Sequence, residues 1–369
     1  MTVGEPWKQI VLFTIPMLIG NIAQQLYNTV DSIVVGRYVG DNALAAVGSA
    51  GPILNLLLVL FVGISMGASI MVAQYFGAKE RENLSYTIGN CIFLTAAASL
   101  IIMLLAAVAV RPLLILLKTP DSILEWCYSY LMILFLGCVG SAYYNILSGI
   151  LRGLGDAFSA LVYLLVSTVL NIVLDILFVA KFGMGVSGVA LATIIAQAVS
   201  AVLCMIRLAK MTDIFDLKPV YIKPHKEFVA NIVKLGLPSG LTQAIFSMAM
   251  IIVQSLTNSF GEAFIAANVI VMRVDGFAML PNFSFGTAMT TYAGQNVGAK
   301  AYDRVNKGAK QGTLIAVFTS ATLTGLILLF GRQLMGIFTD TSELVDLSRR
   351  MMGIIAAGYI AMAVTQSLS

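Results

Sequence analysis

A single histidine and four cysteines are the whole supply of imidazole and thiol ligands in this 369-residue chain. His225 lies in a Lys- and Pro-containing loop and cannot assemble a metal cluster by itself. Cys91, Cys127, Cys138 and Cys204 sit in or beside apolar runs without the paired spacing of a disulfide framework or a zinc site, so they read as small buried hydrophobes. Charge is scarce as well: Asp, Glu, Lys and Arg together make 11% of the residues, for a net charge of +4. The basic residues are spread over connections rather than gathered in one patch, which is no basis for a nucleic-acid surface. A cleavable signal peptide is not expected, because the first apolar run continues far past a short h-region.

What the chain has in quantity is apolar residue, 59% of the total, a balance no soluble globular domain needs. Apolar runs fall at 10–36, 44–75, 86–110, 122–151, 157–180, 187–209, 228–258, 265–294, 309–331 and 343–369, about ten spans by length. An all-α integral membrane protein follows. Pro16 and Pro281 lie inside the first and eighth runs, where each is expected to kink its helix. Lys and Arg concentrate in alternate connections: Lys79 and Arg81, then Arg207 to Lys226, then Lys300 to Lys310. The positive-inside rule puts those connections, and the N-terminus, in the cytoplasm.

The chain repeats itself. Gln74-Tyr75-Phe76-Gly77-Ala78-Lys79 returns as Gln295-Asn296-Val297-Gly298-Ala299-Lys300, and Arg111 returns as Arg332, a shift of about 221 residues. Ile15-Pro16 returns as Leu237-Pro238, and Gly40 with Ala45-Ala46 as Gly261 with Ala266-Ala267. Six spans per copy is an even number, so the copies are parallel, with a substrate site expected between them. This divides the chain into an N-lobe (1–210), a cytoplasmic linker (211–227) and a C-lobe (228–369). The register also carries Ser148 onto Ser369, so the second copy is expected to lack about two helices.

Polar residues inside these spans are the candidate site. Asn21, Gln24, Asn28 and Asp31 recur on one helix face, and a carboxylate inside a span is a functional candidate by default. By depth, Asp31 and Asp175 both fall in the outer half of the membrane, with Asn171 one turn below Asp175 and Thr168 on the same face. Thr193 lies about 10 Å below the outer end of the sixth span. Two carboxylates, an amide and a hydroxyl at one level suit an alkali cation or a shared proton. The plainer alternatives are Asp31 at a helix end among headgroups and Asp175 as a cap or solvated from outside. The position matching Asp31 in the second copy is Ile252 or Val253, so any coupling site belongs to the first. Arg273 and Asp275 are expected to form an intramembrane pair with a structural role.

Several stretches together resemble the multidrug and toxic compound extrusion (MATE) family. They are Pro16 with the polar stripe ending in Asp31, Gln-x-x-Gly-Ala-Lys in both halves, Leu151-Arg152-Gly153-Leu154-Gly155-Asp156, Leu170-Asn171-Ile172-Val173-Leu174-Asp175, Gly185 to Thr193, and Met272-Arg273-Val274-Asp275 before Pro281. The chain is most similar to the prokaryotic branch with its cation site in the N-terminal lobe. The resemblance implies a twelve-helix, two-lobe antiporter of the plasma membrane that exports amphipathic, often cationic compounds. It implies Asp31, Asn171, Asp175 and Thr193 at a Na⁺ or H⁺ site, Gln24, Asn28 and Thr168 beside the cargo, and Pro16 bending the first helix. No other cofactor, no catalytic residue and no nucleic acid is implied, and the protein is expected to be a monomer. Two rivals stand beside this reading. A flippase for lipid-linked oligosaccharides would need several cavity Arg or Lys, and only Arg273 lies well inside the membrane. An intramembrane aspartyl protease would use the Gly153-Leu154-Gly155-Asp156 pattern, but those glycines fit a helix end.

Overall fold

A computed structural model describes residues 1–116, 119–258, 260, 262–339 and 341–368. The side chains at 41, 49, 52, 55–60, 251, 254, 255, 258, 262 and 263 are not among those described. Gly261 and Ser369, which entered the repeat, lie outside the described residues, as does Lys118.

The described chain is helical throughout. Helices α1 (Pro6–Tyr38), α2 (Asp41–Ala78) and α3 (Arg81–Leu116) are followed by α4 (Asp121–Leu136), α5 (Cys138–Gly153) and α6 (Ala157–Asp175). A π-helical turn, Ile176–Lys181, extends α6, and α7 (Gly185–Ala209) follows. After a short α8 (Pro219–Ile222) come α9 (Lys226–Asn258), α10 (Glu262–Ala278), α11 (Leu280–Gly298), α12 (Tyr302–Leu329), α13 (Gly331–Gly336) and α14 (Ser342–Leu368). Among the described residues, eight helical stretches are long and apolar enough to cross a membrane, nine if α4 and α5 are one bent span. The run 228–258 coincides with α9.

Proline and glycine divide these rods. α1 runs through Pro16 without a break. Pro281 lies in the first turn of α11, where a missing N–H leaves no helical bond unmade, so it restarts a helix after the turn at Met279. The run 122–151, expected as one span, is two helices meeting at 52°. The bend is at Gly137, where a Cβ would collide with the Ile194 side chain, so the close approach of α7 requires glycine. The repeated Gly-Ala-Lys ends its helix the same way twice. Lys79 (φ 58) and Lys300 (φ 56) are the only described non-glycine residues with positive φ. Each pairs its N–H, and that of the next residue, back onto the preceding turn: Lys79 to Phe76 and Glu80 to Tyr75, Lys300 to Val297 and Ala301 to Asn296.

By contacts the chain forms two compact units, residues 23–244 and residues 1–22 with 245–369. In the first, one continuous core runs from Val34 to Ile232. The segment between α7 and α9 is docked on the start of α3: Arg81 bonds the Asp216 carboxylate and the carbonyls of Thr212 and Asp213. His225 donates its backbone N–H to Asn90 and packs against Tyr86 and Phe228. In the same unit Gly63 and Gly67 of α2 meet Gly236 of α9 with backbone against backbone. In the second unit, Ile270, Val271, Ile327, Met335, Met352 and Tyr359 belong to a smaller core built from α10, α12, α13 and α14. Asn21 donates to Ser284, fixing the first part of α1 against α11. All four cysteines are free and buried.

Candidate functional site

Three helices of the unit 23–244 carry the polar residues. On α1, Tyr27 and Asp31 are one turn apart and both buried, at 4% and 8% exposure. On α6, Ser167, Asn171 and Asp175 occupy successive turns of one face and are almost completely enclosed. On α7, Thr193, Gln197 and Ser200 follow one another at four and three residues, again on one face. The Ser200 hydroxyl donates to the Tyr163 carbonyl at 2.9 Å, which sets the antiparallel register of α6 and α7. Counting from that bond, Gln197 comes level with Ser167, and Thr193 with Asn171.

Asn171 joins the two acids. With its amide oriented as its surroundings require, the nitrogen donates to Asp31 Oδ1 at 2.9 Å and to Asp175 Oδ2 at 3.3 Å. Tyr130 of α4, also buried, stands close to both carboxylates. Asp175 is not a helix cap: its side chain makes no capping bond, and the chain passes from it straight into the π-helical turn. The Tyr27 and Thr193 hydroxyls are neighbours. Among the described residues neither completes a hydrogen bond, and nor do Ser167 Oγ, Asp175 Oδ1 and Gln197 Oε1.

Five buried oxygens without partners are unfavourable by about 1–3 kcal/mol each. All are hard ligands, and two carboxyl groups so close cannot both stay ionised unless a cation or a proton comes between them. The chemistry open to this cluster is therefore capture of a small cation or sharing of a proton. Three other expected residues make no hydrogen bond to the carboxylates among the described residues. Gln24 is half-buried. Asn28 is exposed, and its carbonyl accepts from Ser32. The Thr168 hydroxyl bonds back to the Leu164 carbonyl. Tyr27, Tyr130, Ser167 and Gln197 escaped the sequence reading, although Gln197 stands one turn from Thr193 in an otherwise apolar helix.

Two further motifs resolve differently. Asp156 of the Gly-x-Gly-Asp pattern caps α6, accepting from the Ser159 N–H and hydroxyl, and pairs with Arg207 at 2.9 Å. Gly155, with φ +91, makes the turn before it. The expected Arg273–Asp275 pair does not form. Residues two apart project from different sides of a helix, so Arg273 is exposed while Asp275 accepts a hydrogen bond from Tyr359.

The MatE family signature matches residues 16–177 and 238–369. The chain belongs to the MatE family. Among curated MatE-like relatives, the probable multidrug resistance protein YpnP of Bacillus subtilis is 30% identical over 97% of this chain and 80% of its own length. The probable multidrug resistance protein YoeA of the same organism is 29% identical over 98% of this chain and 80% of its own. The crystal structure of a MATE protein in its bent conformation superposes with a TM-score of 0.89 at 28% identity, covering 99% of this chain and 83% of that one. The protein is thus a multi-spanning α-helical membrane protein of transporter type.

Proposed function

We propose that this MatE protein is a cation-coupled multidrug efflux antiporter of the plasma membrane, with its N-terminus in the cytoplasm and two lobes, 1–210 and 228–369, joined by the linker 211–227. The observation that carries the reading is the bridge of one buried amide between Asp31 and Asp175 inside membrane-spanning helices. Asp31, Asn171, Asp175 and Thr193 hold the coupling cation, Na⁺ or H⁺, with Tyr27 and Gln197 completing the oxygen lining. Gln24, Asn28 and Thr168 face the cargo, an amphipathic and often cationic compound, as the names of the relatives support for multidrug export.

The mechanism is an exchange of occupants. An incoming cation neutralises the paired carboxylates and satisfies the oxygens that otherwise lack partners. The polar face of α1 then changes its hydrogen bonding, α1 bends at Pro16, and the cargo is released outward. One elementary charge crossing the membrane contributes about 2.3 kcal/mol per 100 mV, enough to drive concentrative export. The test is dye efflux from vesicles with an imposed Na⁺ or proton gradient. Asp31→Asn and Asp175→Asn should each reduce gradient-driven efflux at least tenfold at equal protein level. Unchanged efflux in both variants would overturn the coupling site.

A further inference from the structure

Arg152 stands in the last turn of α5 and follows Tyr144 and Ser148 at four-residue intervals along one face of that helix. Tyr144 and Ser148 are 7% and 1% exposed, and Arg152 is half-buried. The Arg152 Nε is shut off from solvent and has no hydrogen-bond partner among the described residues. No described carboxylate forms a salt bridge with the guanidinium either. Asp156, four residues further on, is already committed to the Arg207 pair and to the cap of α6. Gly149 lets α2 come up to the same place. A Cβ there would lie 2.7 Å from Ser65 Oγ and 3.7 Å from Arg152 Nη2, so the hydroxyl and the guanidinium both border a spot where α5 carries no side chain. Ser65, 8% exposed, donates to the Asn145 carbonyl at 3.0 Å, and that carbonyl also accepts from Ser148. The Ser65 hydroxyl can therefore turn to a stronger acceptor without leaving the carbonyl unpaired. The Tyr144 phenol lies within electrostatic reach of the guanidinium.

A guanidinium drawn into a helix bundle without a counter-charge is costly, and it calls for an anion that these helices do not supply. Carboxylate and phosphate are the anions that the planar fork of arginine fits, and the position favours phosphate. With the N-terminus inside, as proposed above, the last turn of α5 is its cytoplasmic end, where basic pockets between spans receive lipid headgroups. We propose that Arg152 binds a phosphate group, carried by a phospholipid of the inner leaflet or free in the cytoplasm, with the Ser65 hydroxyl as second donor and the Tyr144 hydroxyl as third. The bound group ties α2 to α5. It uses neither Asp31 nor Asp175, so the site stands whether or not those acids couple a cation.

The test is native mass spectrometry of the full chain, stripped of lipid in detergent, with phosphatidylglycerol, phosphatidylcholine or inorganic phosphate added back. The wild type should bind phosphatidylglycerol about tenfold more tightly than phosphatidylcholine, whose choline carries the same charge as Arg152. Arg152→Gln should bring phosphatidylglycerol down to the level of phosphatidylcholine. Arg152→Lys, which keeps the charge without the fork, and Ser65→Ala, which keeps the guanidinium, should each weaken it by a smaller factor. Lys218→Gln, which removes a charge from an exposed connection, should change nothing. Undiminished phosphatidylglycerol binding by Arg152→Gln, or an equal loss in Lys218→Gln, would overturn the site. Should Arg152→Gln not fold, wild-type binding by both Arg152→Lys and Ser65→Ala would overturn it as well. Inorganic phosphate held by the wild type and lost in Arg152→Gln, with no preference between the lipids, assigns the site to free phosphate, and binding of neither probe refutes it. Asp31→Asn should bind phosphatidylglycerol as the wild type does while losing driven efflux, so failure of the coupling site and failure of this one give different results.

Discussion

Alanine in place of Gly236 adds a single methyl group where two helices touch backbone to backbone. Its Cβ would run into the Gly63 carbonyl, and a Cβ on Gly67 into the Ile232 carbonyl. Neither obstacle is the flexible tip of a side chain, so α2 and α9 must separate. Overpacking of this kind costs about 1–3 kcal/mol, against a gain of about 0.5–1 kcal/mol for replacing glycine inside a helix. The net loss is centred on about 1 kcal/mol and reaches at most about 2.5 kcal/mol. Gly325 in α12 supplies the control, because a Cβ there meets nothing within 4 Å. Gly325→Ala should therefore keep the helix gain, stabilising by about 0.5–1 kcal/mol. Thermal unfolding in one detergent at one heating rate reads both, since membrane proteins seldom unfold reversibly. At about 2–4 °C per kcal/mol or somewhat less for a chain of this size, Gly236→Ala should lower the midpoint by a few degrees while Gly325→Ala raises it slightly. Shifts of the same sign would refute the reasoning from backbone contact.

Two further outcomes are expected near the connections. Asp156→Ala removes the cap of α6 and should lower stability by about 1–2 kcal/mol in the same assay. The Arg207 pair adds little because that side chain is 42% exposed, so Asp156→Asn, which keeps a capping oxygen, should lose less than half as much. Equal losses would shift the weight to the ion pair. The Arg81 guanidinium beside Asp216 holds this carboxyl below its ordinary value of 3.8. A lowered value means that the contact stabilises the docked segment at pH above the usual carboxylate range and is lost only as pH falls through the lowered value. Hydrogen exchange at 212–217, corrected for intrinsic rate, should show protection at about pH 5 that weakens only as the pH is taken below the ordinary carboxylate value of 3.8. Asp216→Asn should lack that difference; a difference that persists would assign it to other groups.

Hydropathy and spacing made much of this molecule readable, because a membrane span must be long and apolar and because its few polar residues stand out. Asp31, Asn171 and Asp175 were legible from depth and turn spacing alone, and the structure brings these three side chains together. Tyr27 and Tyr130 were not, since tyrosine is ordinary at membrane interfaces and in cores, and no spacing rule separates a Tyr that meets a carboxylate from one that packs. Ser167 was hidden for a similar reason: serine in a helix usually bonds its own preceding turn, as Thr168 does with Leu164. The bend at Gly137 depends on Ile194, more than fifty residues away in sequence, so no local signal could announce it. Arg273 and Asp275 were paired by proximity in sequence, but helix geometry separates neighbours two apart and gives Asp275 to Tyr359 instead.

The π-helical turn after Asp175 bears on which length changes the gene could tolerate. Such turns hold one residue more than the α-helix needs, so dropping a residue within Ile176–Lys181 would tighten the coil there and leave everything upstream in phase. A deletion between Asn171 and Asp175 would instead swing the acid about 100° around its axis, away from the amide it shares with Asp31. Functional descendants should therefore vary in length after that aspartate and hold their count before it.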